Sequence, residues 1–359
     1  MKMRQKTASR SAKRFVATLL AIPLCALLPL TAHAKDEPTP VVLDASFKAA
    51  DQASKLMTVT ESKALKGVKK VGVPLFSVEF VIADAQRAET SGFAAAGRAS
   101  STLAYTLKGM DPTDFQAITA GLYERFVADL KATGVEVLTP EQLGASPAYK
   151  KLAASGVASP ILSSSAITAA PAGLPIYGFN KTQTGGTSSG ASLFGALSQM
   201  GSSFGAVGAI LDTATMQQEL NAHVIEVQMK VNFVQLTNNN KGFLGRLSST
   251  ASVDGKVQPS VGSASFRVYG GSTGGSVTLA APLALDGAAF SEVRKKESST
   301  GEKVGLVAVA VLGAMIGGGG SSSRDDMEAV ADPAKYRDIV GKGLGVVTQM
   351  FVQRLKAGE

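Results

Sequence analysis

Few side chains in this 359-residue sequence have the chemistry for covalent catalysis. The segment Gly201-Ser202-Ser203-Phe204-Gly205 matches G-x-S-x-G, the pattern that places a nucleophilic serine on a sharp turn between a strand and a helix. A base is also required, and His223 follows Ser203 by 20 residues. Glycine, alanine and serine flank the motif on both sides, which does not resemble a strand followed by a helix. A serine hydrolase is therefore the minor alternative, and a closely packed small-residue segment is the favoured interpretation.

Three further candidates have simpler explanations. Residues 317–320 are four glycines without the Gly-Lys-Ser/Thr of a phosphate loop, and they indicate a flexible linker. Asp325 and Asp326 resemble a metal-binding pair, but the start of a solvated helix explains them better. His223 opens a predicted strand and has no potential ligand near it in the sequence. We therefore predict no catalytic, cofactor-binding or metal-binding residue, and no cofactor.

The N-terminal segment has the three parts of a secretory signal peptide. Residues 1–14 carry six basic side chains and no acidic one, residues 15–30 are uncharged and apolar, and Ala32-His33-Ala34 fits the A-x-A cleavage site. This order predicts cleavage after Ala34 and export to the periplasm or beyond, with possible association with the outer membrane. The alternative is a retained membrane anchor, which Pro23 and Pro29 disfavour because they interrupt the apolar run.

Removal of this segment changes the charge and the available chemistry. The whole chain has a net charge of +8, but the 30 Lys and Arg residues after position 34 exceed the 28 Asp and Glu residues by only two. Cys25 lies in a poor lipobox inside the discarded segment, and His223 is then the only histidine. The mature chain cannot form disulfides or use a cysteine nucleophile, and metal sites built on Cys and His are nearly excluded. Its charge gives no reason to predict nucleic-acid binding.

The spacing of apolar residues predicts an α+β fold, with one mixed β-sheet flanked by helices. Pro74, inside the first long strand, indicates a strand edge or a bulge. The polar, small-residue stretch that follows at residues 83–98 is predicted to be a loop. Strands are predicted at 68–82, 101–108, 135–138, 222–236, 246–257, 263–269 and 277–285, and helices at 47–57, 112–133, 139–151 with a break at Pro147, and 333–356.

Capping residues place the helix ends. Asp111 precedes a proline and begins a helix whose apolar residues recur at helical spacing, and Gly134 stands at its C-terminal end. Thr139 and Gln142 have the spacing of a capping box. Asp332 precedes the last helix, whose predicted buried residues are Tyr336, Val340, Leu344, Val347, Phe351 and Leu355.

The mature chain is predicted to form a leader with a possible helix at 35–66 and a single α+β domain at 67–356. Two inserts rich in glycine, serine and alanine interrupt that domain at about 156–221 and 243–330. Neither shows an internal repeat.

Two uncharged, glycine-rich apolar runs lie within these inserts, at 193–211 and 304–316. Small residues four positions apart, such as Gly201 and Gly205, allow helices to approach closely. The favoured interpretation is two buried helices, and the alternative is contact with an envelope membrane or with a second copy of the chain. The second run has 13 residues, too few to cross a bilayer as a helix. The candidate membrane or self-association contacts are Phe194, Phe204, Val207, Leu211, Val307, Leu312 and Ile316.

One segment resembles a known domain. Val71-Gly72-Val73-Pro74-Leu75-Phe76 looks like the opening strand of the periplasmic α/β domain shared by envelope assembly proteins. These include the curli-secretion lipoprotein, the lipoprotein activators of penicillin-binding proteins and the TolB N-terminal domain. The predicted order that follows is similar to that domain: a helix at 115–130, a short strand at 135–138, a long strand at 227–238 and a C-terminal helix at 336–355.

The resemblance covers about half of the mature chain. It implies a non-enzymatic envelope factor that works through protein–protein contacts, with envelope proteins or a membrane surface as partners and a possible homo-oligomer. Those lipoproteins carry an acylated cysteine directly after the signal peptide, and this chain does not.

Overall fold

The computed structural model describes residues 39–44, 46–90, 99–177, 204–239, 250–270, 273–296 and 322–358. The strands in these residues are β1 Val41–Leu43, β2 Met57–Thr60, β3 Lys70–Val81, β4 Ala83–Glu89, β5 Ser100–Lys108, β6 Glu136–Val137, β7 Ile161–Leu162, β8 Ala166–Ala169, β9 His223–Asn238, β10 Val253–Gly270, β11 Thr273–Leu279, β12 Leu283–Leu285, β13 Phe290–Lys295 and β14 Ser322–Ala331. The α-helices are α1 Ala49–Leu56, α2 Pro112–Ala132, α3 Pro140–Leu143, α4 Pro147–Ser155, α5 Phe204–Leu220 and α6 Pro333–Lys356, with a 3-10 turn at Ser62–Leu65.

Two sheets are built from these strands. The ten-stranded sheet has the order β1-β12-β10-β9-β3-β8-β7, with β11 pairing β10 and β2, and β6 pairing β3. The four-stranded sheet has the order β13-β14-β5-β4. The predicted α+β class and mixed sheet are confirmed, since β3 and β9 are parallel while β9 and β10 are antiparallel. The expectation of one sheet is wrong, because the chain leaves β3 at Ile82 and starts a second sheet.

The predicted loop at 83–98 is wrong over its first half, where β4 forms. The sequence of β4 is rich in alanine and charge, so its own β-propensity is low. Its partner β5 supplies the pairing along the whole strand, from Ala83 opposite Thr106 to Glu89 opposite Ser100. Tertiary pairing therefore overrides local propensity here.

Pro74 produces a bulge, as its position in β3 indicates. The pairing of β3 with β9 passes from Gly72 opposite Val224 to Leu75 opposite Glu226, so β3 holds one extra residue. This lets a proline lie inside a strand that has partners on both sides.

The main core lies between the ten-stranded sheet and helices α2 and α6. Phe266 of β10 stacks on Phe351 of α6 with ring centroids 4.2 Å apart, and Phe126 of α2 packs against both. All six side chains predicted to line the last helix are buried. One continuous core also contains Phe115, Ile118, Leu122, Val231 and Phe233.

Helix ends follow the predicted caps. The Asp332 carboxylate accepts hydrogen bonds from the backbone N–H groups of Ala334 and Lys335 at the start of α6. The backbone N–H of Thr139 donates to the Gln142 side chain at 2.8 Å. Gly134 follows α2 with φ +88°, a conformation that glycine adopts without strain. The predicted break at Pro147 is also present, since α3 and α4 are separate helices.

Several other sequence predictions need correction. Asp325 and Asp326 lie in β14, paired with β5, and do not start a helix. Their side chains bind Lys295 and Arg324 respectively, and β-sheet pairing explains their extended backbone. The strands predicted at 246–257 and 263–269 form one strand, β10, whereas 277–285 divides into β11 and β12. The first predicted insert contains β7 and β8 of the ten-stranded sheet, and the second contains strands of both sheets.

Some predictions fall outside the described residues. These are the signal peptide, Gly201-Ser202-Ser203, the run at 304–316, and the candidate contacts Phe194, Val307, Leu312 and Ile316. Phe204, Val207 and Leu211 lie along the backbone of α5, and their side chains are also outside the description. All described residues belong to one compact unit, Glu37–Glu359.

Candidate functional site

An open groove of about 760 Å³ lies between helices α2 and α4 and two further segments, residues 158–159 before β7 and residues 170–175 after β8. Its size is within the range of ligand-binding clefts. The lining residues are Gln116, Ala117, Ala120, Tyr149, Ala153, Ala158, Ser159, Ala170, Pro171, Ala172, Gly173, Leu174 and Pro175.

Local sequence explains the width of the groove. The helix walls present alanine at Ala117, Ala120 and Ala153, so little side-chain volume fills the space between α2 and α4. The opposite wall is fixed by the Ser159 hydroxyl, which accepts from the backbone N–H of Ala170 at 2.8 Å and donates to the same residue's carbonyl at 3.1 Å.

Gly156 packs closely against Pro175 in that wall. A Cβ on Gly156 would lie 2.8 Å from Pro175 Cβ, a separation that atoms in proteins do not adopt. Backbone hydrogen bonds between Val157 and Ile176, at 2.8 and 3.0 Å, close the same turn. The groove is therefore a preformed feature of the fold.

The chemistry of the groove favours uncharged, apolar ligands. None of its lining residues carries a charge, and Gln116, Tyr149 and Ser159 supply its polar side-chain atoms. Burial raises the pKa of Tyr149, so its phenol stays protonated at neutral pH. The groove can bind apolar surface and make a few hydrogen bonds, but it offers no acid–base pair.

The groove adjoins an open sheet edge. Strand β7 ends the order of the ten-stranded sheet, and its Leu162 side chain is 58% exposed. Unpaired edge strands can accept an extended peptide through main-chain hydrogen bonds. Ser159 in the groove wall and Ile161 at the start of β7 are two positions apart in the chain, so the groove lies beside this strand.

A group of buried polar side chains lies on the sheet face opposite α2 and α6. Glu226 of β9 is 6% exposed. Its carboxylate accepts hydrogen bonds from the hydroxyls of Tyr177 at 3.2 Å, Tyr269 at 3.3 Å and Thr213 at 3.4 Å. Burial raises the pKa of Glu226, while the charge of Arg267 and the three hydroxyls oppose that shift.

An ion pair between Glu79 and Lys230 lies on the same face. Glu79 of β3 is 2% exposed, and its carboxylate lies 3.5 Å from Lys230 Nζ. Burial also raises the pKa of the nearby Asp84, against the effect of the Lys230 charge. Each of these acids has its partners inside the fold, so the arrangement is that of a structural polar layer.

Sequence analysis did not identify this polar layer. It placed the apolar residues of β9 on one buried face, which left Glu226, Gln228 and Lys230 on the other. The length of β9 was the signal that could have indicated buried polar residues. A 16-residue strand with neighbours on both sides is at the centre of a sheet and has both faces covered.

His223 stands at the first position of β9, as predicted. Its ring packs directly on Gly270, where an added Cβ would lie 2.5 Å from Nε2. Burial lowers the pKa of His223, which favours the neutral imidazole. The position of its ring follows from this packing on β10.

Among the described residues, no group of three or more His, Cys, Asp or Glu side chains is arranged to hold a metal ion. None of the helices described is both long enough and apolar enough to cross a membrane.

Comparisons with known proteins returned nothing for this chain: no family model, no curated protein and no solved structure matches it.

Proposed function

We propose that this protein is an exported, non-enzymatic factor of the cell envelope that binds an uncharged, apolar segment of a partner protein. The contact surface is the groove between α2 and α4, together with the edge of β7. The groove carries this proposal, because its walls are uncharged, rich in alanine and fixed by backbone hydrogen bonds. An extended chain segment suits this site, because β7 offers main-chain pairing beside apolar space.

The signal-peptide pattern supports the envelope location. The test is to express the full chain with a C-terminal tag in a bacterial host and to fractionate the cells. We expect the protein in the envelope fractions, with Lys35 as its first residue by N-terminal sequencing. Recovery in the cytoplasm with the first 34 residues intact would contradict export.

Binding in the groove is tested by photo-crosslinking in cells, with the crosslinking amino acid at Ala158 in the groove wall. Ala117→Arg places a charge inside the groove, whereas Ala128→Arg introduces the same charge on an exposed part of α2 outside it. We expect one crosslinked envelope protein, with the crosslinked segment uncharged and apolar. Ala117→Arg should reduce the crosslink about tenfold or more, a loss of roughly 1.4 kcal/mol or greater.

Three outcomes would overturn the groove assignment. The crosslink could persist in Ala117→Arg, it could decrease equally in Ala128→Arg, or the bound segment could be charged. A bound small apolar molecule, seen by mass spectrometry of the purified protein, would show that the groove is a ligand site and not a peptide site.

The second candidate function is membrane contact or self-association through residues 193–211 and 304–316. One observation makes it testable: residues 297–321 connect β13 and β14, which are neighbouring antiparallel strands. Replacing 304–316 by a glycine-serine linker therefore leaves both strands and their pairing in the chain. If this function is correct, the replacement abolishes flotation with vesicles of phosphatidylethanolamine and phosphatidylglycerol, and unchanged flotation would contradict it.

A further inference from the structure

The four-stranded sheet has a long open edge at β13. Within the described residues, β13 pairs with β14 on one side and has no strand on the other. Its six residues are longer than the edge strands of the large sheet, β1 with three and β7 with two. Val293, near its centre, is a 46% exposed large apolar side chain.

The backbone of β13 presents hydrogen-bonding groups to this edge. The N–H of Lys296 donates to the carbonyl of Asp326 at 2.8 Å, so it points toward β14. Successive residues in an antiparallel strand point their N–H and C=O groups to opposite sides. The N–H and C=O groups of Arg294 therefore point toward β14, where Arg294 lies opposite Glu328. The N–H and C=O groups of Val293 and Lys295 point outward.

The charges on β13 are complementary to themselves. Glu292 and Arg294 flank Val293 and lie on one face, with Arg294 Nη1 3.2 Å from Glu292 Oε2. Arg294 Nε also lies 3.1 Å from Glu328 Oε2 on β14. If a second β13 pairs antiparallel across a two-fold axis at Val293, Glu292 lies opposite the partner's Arg294, and this contact occurs twice. The outward N–H and C=O groups of the two Val293 residues then bond to each other at the centre of the contact.

Other registers lack this match. An antiparallel two-fold pairing preserves the faces of the sheet, so the register can change only in steps that keep side chains on the same face. The nearest shifts place Glu292 opposite the partner's Glu292, or Arg294 opposite the partner's Arg294. Like charges directly opposite each other are destabilising in a sheet.

We propose that two copies of this chain associate by antiparallel pairing of their β13 strands, which joins two four-stranded sheets into one of eight strands. The partner is a second copy, because the charge pattern is complementary to itself about Val293. A six-residue edge is a small contact, so the dimer is weak and depends on protein concentration. The residues of this interface differ from those that line the groove.

The experiment is sedimentation of the mature chain, residues 35–359, over a range of concentrations. We expect a monomer–dimer equilibrium for the natural sequence. Glu292→Arg alone and Arg294→Glu alone each create two like-charge contacts, so each should weaken dimerisation about tenfold or more. The double variant Glu292→Arg/Arg294→Glu restores opposite charges across the interface. Because Arg294 also pairs with Glu328 of β14, the double variant is compared in a Glu328→Gln background, where dimerisation should return to within about threefold of Glu328→Gln alone.

Two further variants keep the test independent of folding. Val293→Pro removes an outward N–H and leaves the bonds to β14, so it should abolish the dimer while the circular dichroism spectrum is unchanged. Arg87→Glu, on the opposite edge strand β4, is the matched charge control and should have no effect. The proposal is overturned by a monomer at every concentration, by failure of the double variant to restore the dimer, or by an equal loss in Arg87→Glu.

Discussion

On one face of the ten-stranded sheet, Phe76 and Phe266 pack against α2 and α6, whereas the opposite face carries Glu79 and Glu226. All four side chains are buried, with exposed fractions of 6% or less. The first face excludes water with aromatic rings. The second keeps carboxyl groups inside by giving them hydroxyl and ammonium partners.

This contrast shows that burial alone does not define the core. Apolar burial stabilises by removing surface from water, roughly 25 cal/mol per Å². A buried carboxyl group stabilises little by itself and becomes costly when its partner is lost. Substitutions on the two faces should therefore differ in size and in their dependence on pH.

The largest effect is expected from Phe126→Ala on the helix side. Phe126 contacts Phe76, Phe266 and Phe351, so its removal leaves a cavity where α2, α6 and the sheet meet. The free energy of unfolding should fall by about 3–5 kcal/mol, measured by urea denaturation. A loss below about 1 kcal/mol would show that this aromatic cluster is not the centre of the core.

On the polar face, Lys230→Met should cost about 3 kcal/mol, because it leaves the Glu79 carboxylate buried without its ammonium partner. The double variant Glu79→Gln/Lys230→Met removes both charges and should recover most of the loss. Denaturation of the two single variants and the double variant gives the coupling energy. Additive losses would contradict the pairing of these two groups.

An effect of opposite sign is expected at Tyr336, which lies in the aromatic core on the helix side. Its ring packs against Phe115 and Phe290, and its buried hydroxyl has no hydrogen-bond partner among the described residues. Tyr336→Phe removes an unsatisfied polar atom and should raise the free energy of unfolding by about 1 kcal/mol. Phe290→Leu, at the edge of the same cluster, is a control that should not stabilise. A loss of stability in Tyr336→Phe would indicate a partner for the hydroxyl.

The smallest difference concerns Glu226→Gln, and it depends on pH. Because burial raises the pKa of Glu226 above its ordinary value of 4.5, the native state keeps a proton that the unfolded chain has lost. The stability of the natural sequence therefore falls as the pH rises from about 4.5 through the raised pKa. Glu226→Gln has no proton to lose at this site, so its stability relative to the natural sequence should increase across that interval.

The matched control is Glu124→Gln, the same substitution on the exposed surface of α2. Unfolding at several pH values checks the prediction. Parallel pH profiles for the natural sequence and Glu226→Gln would contradict the raised pKa.

The sequence predicted the parts of the fold that depend on local signals. Asp332 and Pro333 begin α6 where they were expected to, and the apolar spacing identified its buried side. Pro74 marked a bulge. The alternation in β9 identified the residues that face the helices, because one regular strand imposes that period on its own.

Features that depend on distant residues were missed. β4 has little β-propensity and exists because β5 pairs with it, so no signal within residues 83–89 indicated a strand. The groove was missed because its alanines come from three separate segments, each unremarkable in isolation.

By itself the sequence determined the chemistry this protein lacks and the helices and strands with strong local signals. It has no cysteine after position 34 and one histidine there, whatever its fold. Only the tertiary structure decided which polar residues are buried. The hydroxyl partners of Glu226 are Tyr177, Thr213 and Tyr269, which lie in other segments of the chain. It also decided that the described strands form two sheets in which β7 and β13 are end strands, since strand pairing is a contact between residues far apart in the chain.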